Sequence, residues 1–296
     1  MKIDAYNARE TTTLVSNAGS RKAKQRIDHL LIQAILGGVL LSFGGLFFLT
    51  IGGGGTVLGQ HAGPAILKGL QAAVFPIGLV LVVGTGAELF TGNTMFLIVS
   101  TLHKKTTWTA LGISWMASFA GNLVGCILFE FCFVYYAELL SNEPYRSYAI
   151  SFTETKIRIP WHALFLRGIA GNWLVCLSLW LATSAREFHS KVIAIYLPIW
   201  LFVAVGYEHS IANMFTVQMG MILGANVSII SYLLFILIPV TLGNIVGGAI
   251  FVGTTYWYLH LVNGNDHDAC AVQETLLHGT TAVSRAVNDT AASSQP

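Results

Sequence analysis

Six long apolar segments constrain this chain more than any other feature of its sequence. They are Leu30–Ile51, Ile66–Leu102, Trp108–Tyr136, Trp161–Ala185, Val192–Leu223 and Ile229–Val262. Each is long enough to cross a bilayer, because a spanning helix needs about 20 apolar residues. Only 10% of the 296 residues are charged and 54% are hydrophobic, whereas soluble domains carry about 25% charged residues. The sequence therefore predicts an all-α membrane protein with six transmembrane helices.

The lysine and arginine residues predict the orientation of the chain. Six spans put both termini on one side of the membrane, and 11 of the 16 basic residues fall on that side. Because basic residues are enriched in cytoplasmic loops, we expect both termini to be cytoplasmic. Residues 1–29 would then form an N-terminal tail and residues 30–262 a transport domain. The polar residues 263–296 have no apolar periodicity and are predicted to be a disordered C-terminal tail.

Two pairs of similar motifs divide the transport domain into halves. "GAELFTGNTMF", from Gly86, and "GYEHSIANMF", from Gly206, share a Gly-x-Glu-x4-Asn pattern at an offset of 120 residues. "GNLVG", from Gly121, returns as "GNIVG", from Gly243, at an offset of 122. Each half would hold three spans, so the halves must have opposite orientations. Inverted repeats of this kind place a substrate path between the halves, near the midplane.

The second and fifth segments are predicted to be broken helices. They contain 37 and 32 residues, too many for one straight span, and each contains polar or glycine-rich positions. We expect second half-helices to begin near Thr91 and Ala212, with their N-terminal N–H groups directed at the path. Irregular backbone at this depth is tolerated only where it lines a cavity or is buried in protein.

Equivalent carboxylates stand at the two breaks. We interpret Glu88 and Glu208, each followed by an asparagine at Asn93 or Asn213, as stabilising the breaks. In this interpretation the carboxylates accept hydrogen bonds from backbone N–H groups that the breaks leave free. A direct role in handling ions is the alternative, and we favour it less because an ionised acid would repel an anion.

His209 has no counterpart in the first half, where Leu89 stands. A histidine can simply fill a polar gap, but an ionisable group inside a membrane is by default a candidate for function. Imidazole can donate a hydrogen bond or a proton near neutral pH, and Thr91 offers a hydroxyl at the matching break. Asn172 could either join helices or line the path. Lys156, considered alone, would be a solvated loop charge.

The motifs "GAELFTGN", "GNWLVC" and "GYEHSIANMF", in this order, resemble those of the formate/nitrite transporter family over roughly Leu30–Val262. The resemblance implies an aquaporin-like inverted repeat, assembled as a homopentamer with one pore per protomer. It implies that His209, Thr91 and Asn172 belong to the substrate pathway and that Lys156 attracts anions. It assigns apolar constrictions to Phe75, Leu79, Leu89, Phe90 and Phe202.

The run "FTGNTMFL" and the two polar tails are similar to those of fungal plasma-membrane nitrite transporters. The resemblance thus predicts transport of nitrite with a proton, in the context of nitrate assimilation, with formate as the alternative substrate. A pore for neutral solutes is a different reading, which would need neither the lysine nor the midplane histidine. Expected partners are the anion, a proton, membrane lipid and further copies of the chain. We expect no enzymatic activity, no cofactor or metal, and no nucleic-acid partner.

Overall fold

The computed structural model describes residues 5–262, and this range is helical almost throughout. In chain order the helices are α1 (Ala8–Ala23), α2 (Ile27–Gly54), α3 (Thr56–Ala62), α4 (Pro64–Val74), α5 (Pro76–Thr85), α6 (Phe90–Leu102), α7 (Trp108–Phe129), α8 (Tyr145–Ile157), α9 (Trp161–Ser184), α10 (Phe188–Val205), α11 (Ser210–Ile222), α12 (Ile229–Tyr232), α13 (Ile238–Val246) and α14 (Thr255–Leu261). Three π-helical stretches, Glu130–Tyr135, Leu233–Leu237 and Gly247–Thr254, extend or join these helices.

Within residues 5–262, six apolar helical segments are long enough to cross a membrane, as predicted. They are α2, α4 with α5, α7 with its π-helical extension, α9, α10, and the segment from α12 to α14. Large apolar side chains such as Ile32, Met116 and Leu234 are exposed on their outer faces. Such faces suit contact with lipid or with another protein, because exposing large apolar side chains to water is unfavourable.

The second and fifth predicted segments are both interrupted. α5 ends at Gly86 and α10 ends at Gly206, with φ values of +73° and +81°. Glycine adopts this left-handed conformation at no steric cost, which is why it ends helices so often. The half-helices α6 and α11 have 13 residues each, about 20 Å at 1.5 Å per residue, so each covers only part of the bilayer.

The two halves use the same helix contacts. α2 packs along α7 in the first half, and α9 packs along α13 in the second. A side chain at Gly125 would collide with the Ile35 carbonyl, and one at Gly247 would collide with the Ile169 carbonyl. The "GNLVG" and "GNIVG" motifs are therefore repeated because both halves need the same close approach of two helices.

The N-terminal segment contains the helix α1. Asn7 and Glu10 form a reciprocal capping box at its start, with both hydrogen bonds 2.9 Å long. The Trp180 Nε1–H donates to the Thr12 hydroxyl (3.2 Å), which helps to attach α1 to α9. α1 also packs against α14, so both ends of the described chain lie on one side of the membrane domain. The predicted C-terminal tail, residues 263–296, lies outside the described residues.

Candidate functional site

A buried asparagine closes the first break. Asn122 of α7 donates from Nδ2 to the carbonyl oxygens of Ala34 (2.7 Å) and Glu88 (2.8 Å). Its Oδ1 accepts from the Phe90 N–H (2.9 Å), the first donor of α6. One amide therefore bridges both sides of the break, because it carries donors and an acceptor together.

The second break is closed in the same way. Asn244 of α13 donates to the carbonyl oxygens of Gly168 (2.8 Å) and Glu208 (3.0 Å), and its Oδ1 accepts from the Ser210 N–H (2.8 Å). The prediction that the glutamates accept these break N–H groups was wrong. A carboxylate only accepts, so it could not bond the carbonyl groups that also face each break.

The two glutamates instead form part of two equivalent ion-pair clusters. In the second half, the Lys156 ammonium donates to Glu208 Oε2 (2.9 Å) and to Asn213 Oδ1 (2.8 Å). The Asn213 amide also donates to Glu208 Oε2 (2.9 Å), and the ammonium lies 4.7 Å from the centre of the Phe152 ring. We call Lys156, Glu208 and Asn213 the outer cluster.

The first half contains the inner cluster, formed by Lys22, Glu88 and Asn93. The Lys22 ammonium lies 2.6 Å from Glu88 Oε2 and 5.5 Å from the centre of the Phe96 ring. The Asn93 amide donates to the same carboxylate (2.9 Å). Asn93 Oδ1 is buried and has no hydrogen-bond partner among the described residues, whereas its outer equivalent accepts from a lysine.

Lys156 is not the solvated loop charge that its position alone suggested. It lies in the last turn of α8, and its side chain is only 12% exposed. α8 contacts α11 and α2, so the helix carries the lysine into the protein. A buried cation must be paired to offset its lost hydration, and Lys156 is held in an ion pair with Glu208.

The His209 and Thr91 side chains meet where the two halves join. The Ala212 N–H donates to His209 Nδ1 (3.0 Å), so Nδ1 carries no proton and caps the start of α11. The proton of the neutral imidazole is then on Nε2, which lies 2.8 Å from the Thr91 hydroxyl oxygen. His209 is 3% exposed and Thr91 is fully buried. The ring therefore presents a donor to the junction between α6 and α11.

A vestibule of about 680 Å³ leads to this junction from the side of the outer cluster. Its lining includes His209, the three residues of the outer cluster and two further cations, Lys68 and Arg167. Within residues 5–262, neither of these two cations has an ion-pair partner. The vestibule is thus positive even though Lys156 is neutralised by Glu208.

Four of the five predicted constriction residues lie together at the junction. Phe75, Leu79, Leu89 and Phe202 line a second space of about 10 Å³ that His209 also borders. The ring centres of Phe75 and Phe202 are 6.1 Å apart. That space is about the size of one water molecule, so the junction is closed to larger solutes in this conformation.

The fifth predicted constriction residue, Phe90, lies elsewhere. Its ring packs edge-on against Phe119 (5.1 Å between centres) and Trp115 (6.3 Å) of α7. It does not border either space, although it is buried. Phe90 therefore fixes the start of α6 against α7.

Asn172 joins helices. Its Nδ2 lies within hydrogen-bond distance of the Asn244 carbonyl (2.6 Å), the Thr94 hydroxyl (3.0 Å) and the Thr91 carbonyl (3.2 Å). The side chain is fully buried and borders neither space. Of the two roles that its position left open, the contacts support the interhelical one, next to Thr91.

Three residues of this site were not predicted from the sequence: Lys22, Asn122 and Asn244. Lys22 was assigned no role, yet the capping pattern of Asn7 and Glu10 was a signal that a helix carries this lysine. The motifs "GNLVG" and "GNIVG" were recognised as repeats, without the hydrogen bonds that Asn122 and Asn244 make.

Comparisons with known proteins match most of the chain. A family model described as formate/nitrite transporter matches residues 9–258. A probable formate transporter of Methanothermobacter thermautotrophicus is 36% identical over 266 residues, covering 85% of this chain and 96% of that protein. A solved FNT family ion channel superposes with a TM-score of 0.74 at 29% identity, over 84% of this chain and 98% of that channel. A pentameric formate channel with formate bound gives a TM-score of 0.69 at 31% identity, over 79% and 98%.

Proposed function

The chain belongs to the formate/nitrite transporter family, and we propose that it carries nitrite across the plasma membrane together with a proton. The observation that carries this proposal is the His209–Thr91 pair, which lies between a positive vestibule and an apolar constriction. A role in nitrate assimilation, with both termini in the cytoplasm, is part of the same proposal.

The working assembly in this proposal is a homopentamer with one pathway in each protomer. A solved relative is a pentameric formate channel, and the pathway here is enclosed by the helices of one chain. The exposed apolar faces of the spans leave surface for contact with neighbouring protomers and with lipid.

The vestibule collects the substrate as an anion. Small weak acids of this class have pKa values of roughly 3 to 4, so at neutral pH about one molecule in a thousand or fewer is protonated. Lys68 and Arg167 attract the anion, and the outer cluster holds the start of α11 in position. A charge that moved on between Phe75 and Phe202 would lose its hydration, which is costly.

His209 relieves that cost by supplying a proton. In place of its contact with the Thr91 hydroxyl, the Nε2–H first donates a hydrogen bond to the anion. Loss of this proton from neutral imidazole would leave an imidazolate, so Nδ1 must take a proton from the vestibule side, giving up the Ala212 N–H. The Nε2 proton then passes to the anion, which leaves a neutral ring with its proton on Nδ1, and the uncharged acid crosses the constriction. The ring regains its starting form when Nε2 takes a proton from the vestibule and Nδ1 returns one to it, so that Nδ1 again accepts from the Ala212 N–H. The net movement is one anion and one proton.

Formate is the second candidate substrate, because a solved relative is a formate channel with formate bound. Formate is also a small monovalent anion of a weak acid, so the same steps apply to it. The aquaporin-like arrangement of broken helices would equally suit a neutral solute, and the test below separates the three.

Uptake into liposomes tests the proposal. Purified protein would be reconstituted, and entry of nitrite, formate, nitrate and glycerol would be followed with and without an inward proton gradient, against protein-free liposomes. We expect nitrite to enter fastest, formate to enter measurably, and both to accelerate with the gradient. Nitrate is the anion of a strong acid and should be refused, as should glycerol. Glycerol entry, or nitrate entry equal to that of nitrite, would contradict the proposal.

A further inference from the structure

A buried carboxylic acid lies behind the second half-helix, outside both spaces described above. Glu130 begins the π-helical stretch that follows α7, and it is fully buried. Its Oε1 has no hydrogen-bond partner, and no cation within residues 5–262 lies within ion-pair distance of it. A carboxylate in such surroundings would be an uncompensated buried charge.

Glu130 is one end of a row of polar groups that reaches α11. Its Oε2 lies 3.3 Å from one end of the Gln218 amide, and the other end lies 3.2 Å from the Tyr232 hydroxyl. The Tyr232 hydroxyl lies 3.4 Å from the Asn213 carbonyl, in the first turn of α11. We call these four groups the α11 chain. It ends at the residue whose side chain holds Lys156.

The hydrogen bonds of the α11 chain can be donated in either of two directions, toward Asn213 or toward Glu130. If Glu130 holds a proton, it donates to Gln218 Oε1, the Gln218 amide donates to Tyr232, and Tyr232 donates to the Asn213 carbonyl. If Glu130 is ionised, the Gln218 amide turns to donate to Glu130, and the Tyr232 hydroxyl donates to Gln218 instead. The single hydroxyl proton cannot serve both acceptors, so the ionised form loses the bond to Asn213.

Burial favours the first direction. The ionised form gains a hydrogen bond from Gln218 to the Met214 carbonyl (3.2 Å). One neutral hydrogen bond offsets only a small part of the cost of burying an unpaired carboxylate. The titratable groups that face Glu130 are the Cys126 thiol of α7 and the Tyr232 hydroxyl of α12, and α11 presents only the neutral Gln218. Neither titratable group is a cation that could offset the charge.

The first half braces its half-helix without a titratable group. There the Trp115 indole N–H of α7 donates to the Asn93 carbonyl (3.1 Å). Asn93 and Asn213 are the equivalent residues of the two motifs, so both half-helices are tied at the same carbonyl. The indole N–H always donates, whereas the hydroxyl donates to Asn213 only when the α11 chain runs in the first direction.

We propose that Glu130 is a proton-binding site whose proton sets the direction of the α11 chain and so braces the start of α11. Glu130 is thus a positioning residue, because it acts through Gln218 and Tyr232 on the turn that carries Asn213. Its consequence for transport rests on the function proposed above, whereas the bound proton itself does not.

Infrared spectroscopy of the protein in lipid vesicles tests the bound proton without any substrate. The wild-type spectrum minus that of Glu130→Gln should contain the carbonyl stretch of a protonated carboxylic acid at neutral pH. This band should shift in heavy water and disappear at strongly alkaline pH. A difference spectrum that lacks the band at neutral pH, from two folded proteins, would overturn the proposal.

Uptake assays test the brace. A glutamine at position 130 donates like the protonated acid at every pH, whereas Glu130 stops donating when it ionises. We therefore expect the ratio of Glu130→Gln uptake to wild-type uptake to rise as the pH is raised equally on both sides of the membrane. Tyr232→Phe should slow uptake by about fivefold, the equivalent of one hydrogen bond, and should remove this pH-dependent ratio when combined with Glu130→Gln. Trp115→Phe is the matched control, and the Glu130→Gln ratio should persist in it. A ratio that stays constant with pH would overturn the brace.

If no variant transports any anion, the proposed function fails while the infrared result stands.

Discussion

The two halves of the molecule share a scaffold and differ in chemistry. Each half has a broken helix, an asparagine from its third span that bridges the break, and a lysine–glutamate–asparagine cluster next to the half-helix. The bridging asparagines pair backbone groups that each break leaves free, and unpaired backbone groups are costly in a membrane. The repetition of these contacts therefore indicates a role in folding and says little about the substrate.

The halves differ in the residue that precedes each half-helix and in the helix that supplies each lysine. His209 caps α11, while the equivalent Leu89 has no side-chain group to cap α6 and instead borders the constriction. Lys156 comes from α8, within the second half, whereas Lys22 is delivered by α1, which precedes the first span. Function is thus to be sought where the internal symmetry fails.

The largest effect is expected where the halves are most alike. Asn122→Leu and Asn244→Leu each remove three buried hydrogen bonds, leaving a break donor and two carbonyl groups unpaired. We expect a loss of roughly 3 kcal/mol or more in each case, seen as a low yield of folded protein in size-exclusion chromatography and a lower melting temperature.

Asn226→Leu is the control for these variants, because Asn226 is exposed and its side chain makes no hydrogen bond within residues 5–262. The two break variants should be similarly damaged. A marked difference between them would show that the two breaks are not equivalent.

The second largest effect is expected from replacing the lysines of the two clusters. Lys156→Met strands Glu208, which is 4% exposed, and loss of one partner of a buried pair costs roughly 3 kcal/mol. Lys22→Met should cost about half as much, because Lys22 is 22% exposed and makes one contact fewer. Thermal unfolding would measure both losses.

Adding Glu208→Gln to Lys156→Met should recover much of the stability, because no buried charge then remains unpaired. A loss of uptake in Lys156→Met that disappears at high salt would instead mean that this lysine acts as a free attractor of anions.

A smaller effect concerns Lys68 and Arg167, the two further cations of the vestibule. Lys68→Gln or Arg167→Gln should slow uptake about threefold at 0.01 M salt, and the effect should fade by 0.15 M, where charges are screened beyond about 8 Å. Lys191→Gln, which lies outside the vestibule, is the control. An effect that does not change with salt would rule out attraction at a distance.

The smallest effect concerns the attachment of α1, the helix that carries Lys22 to the inner cluster. The Ser16 hydroxyl lies 2.8 Å from His103 Nδ1, and burial, with the nearby Lys105 charge, lowers the pKa of His103 from 6.5. The attached state then binds fewer protons than the detached state, so attachment is strongest above pH 6.5 and weakens as the pH falls below it. The protection of the α1 amides against hydrogen exchange, measured relative to the intrinsic exchange rate at each pH, should fall on acidification, and His103→Gln should abolish that change. An equal loss of protection in the variant would exclude His103.

Much of this architecture could be predicted because the membrane imposes it. Segment length and the glycines at 86 and 206 gave the spans and the breaks, which depend on local sequence. The partners at the breaks could not be predicted, since Asn122 is 32 residues from Phe90 and only the folded chain brings them together. Lys22 was missed because hydropathy does not reveal a polar helix that packs on the membrane domain.

The most direct test of the central claim is uptake of nitrite by His209→Asn in liposomes, with and without an inward proton gradient. Asparagine keeps a hydrogen-bond donor but cannot carry a proton. We therefore expect a folded protein that still passes some anion and no longer accelerates when the proton gradient is applied. Thr91→Val would serve as the companion variant, because it removes the hydroxyl beside the ring and leaves the imidazole in place. A well-folded His209→Asn protein whose uptake still follows the proton gradient as the wild type does would contradict the account.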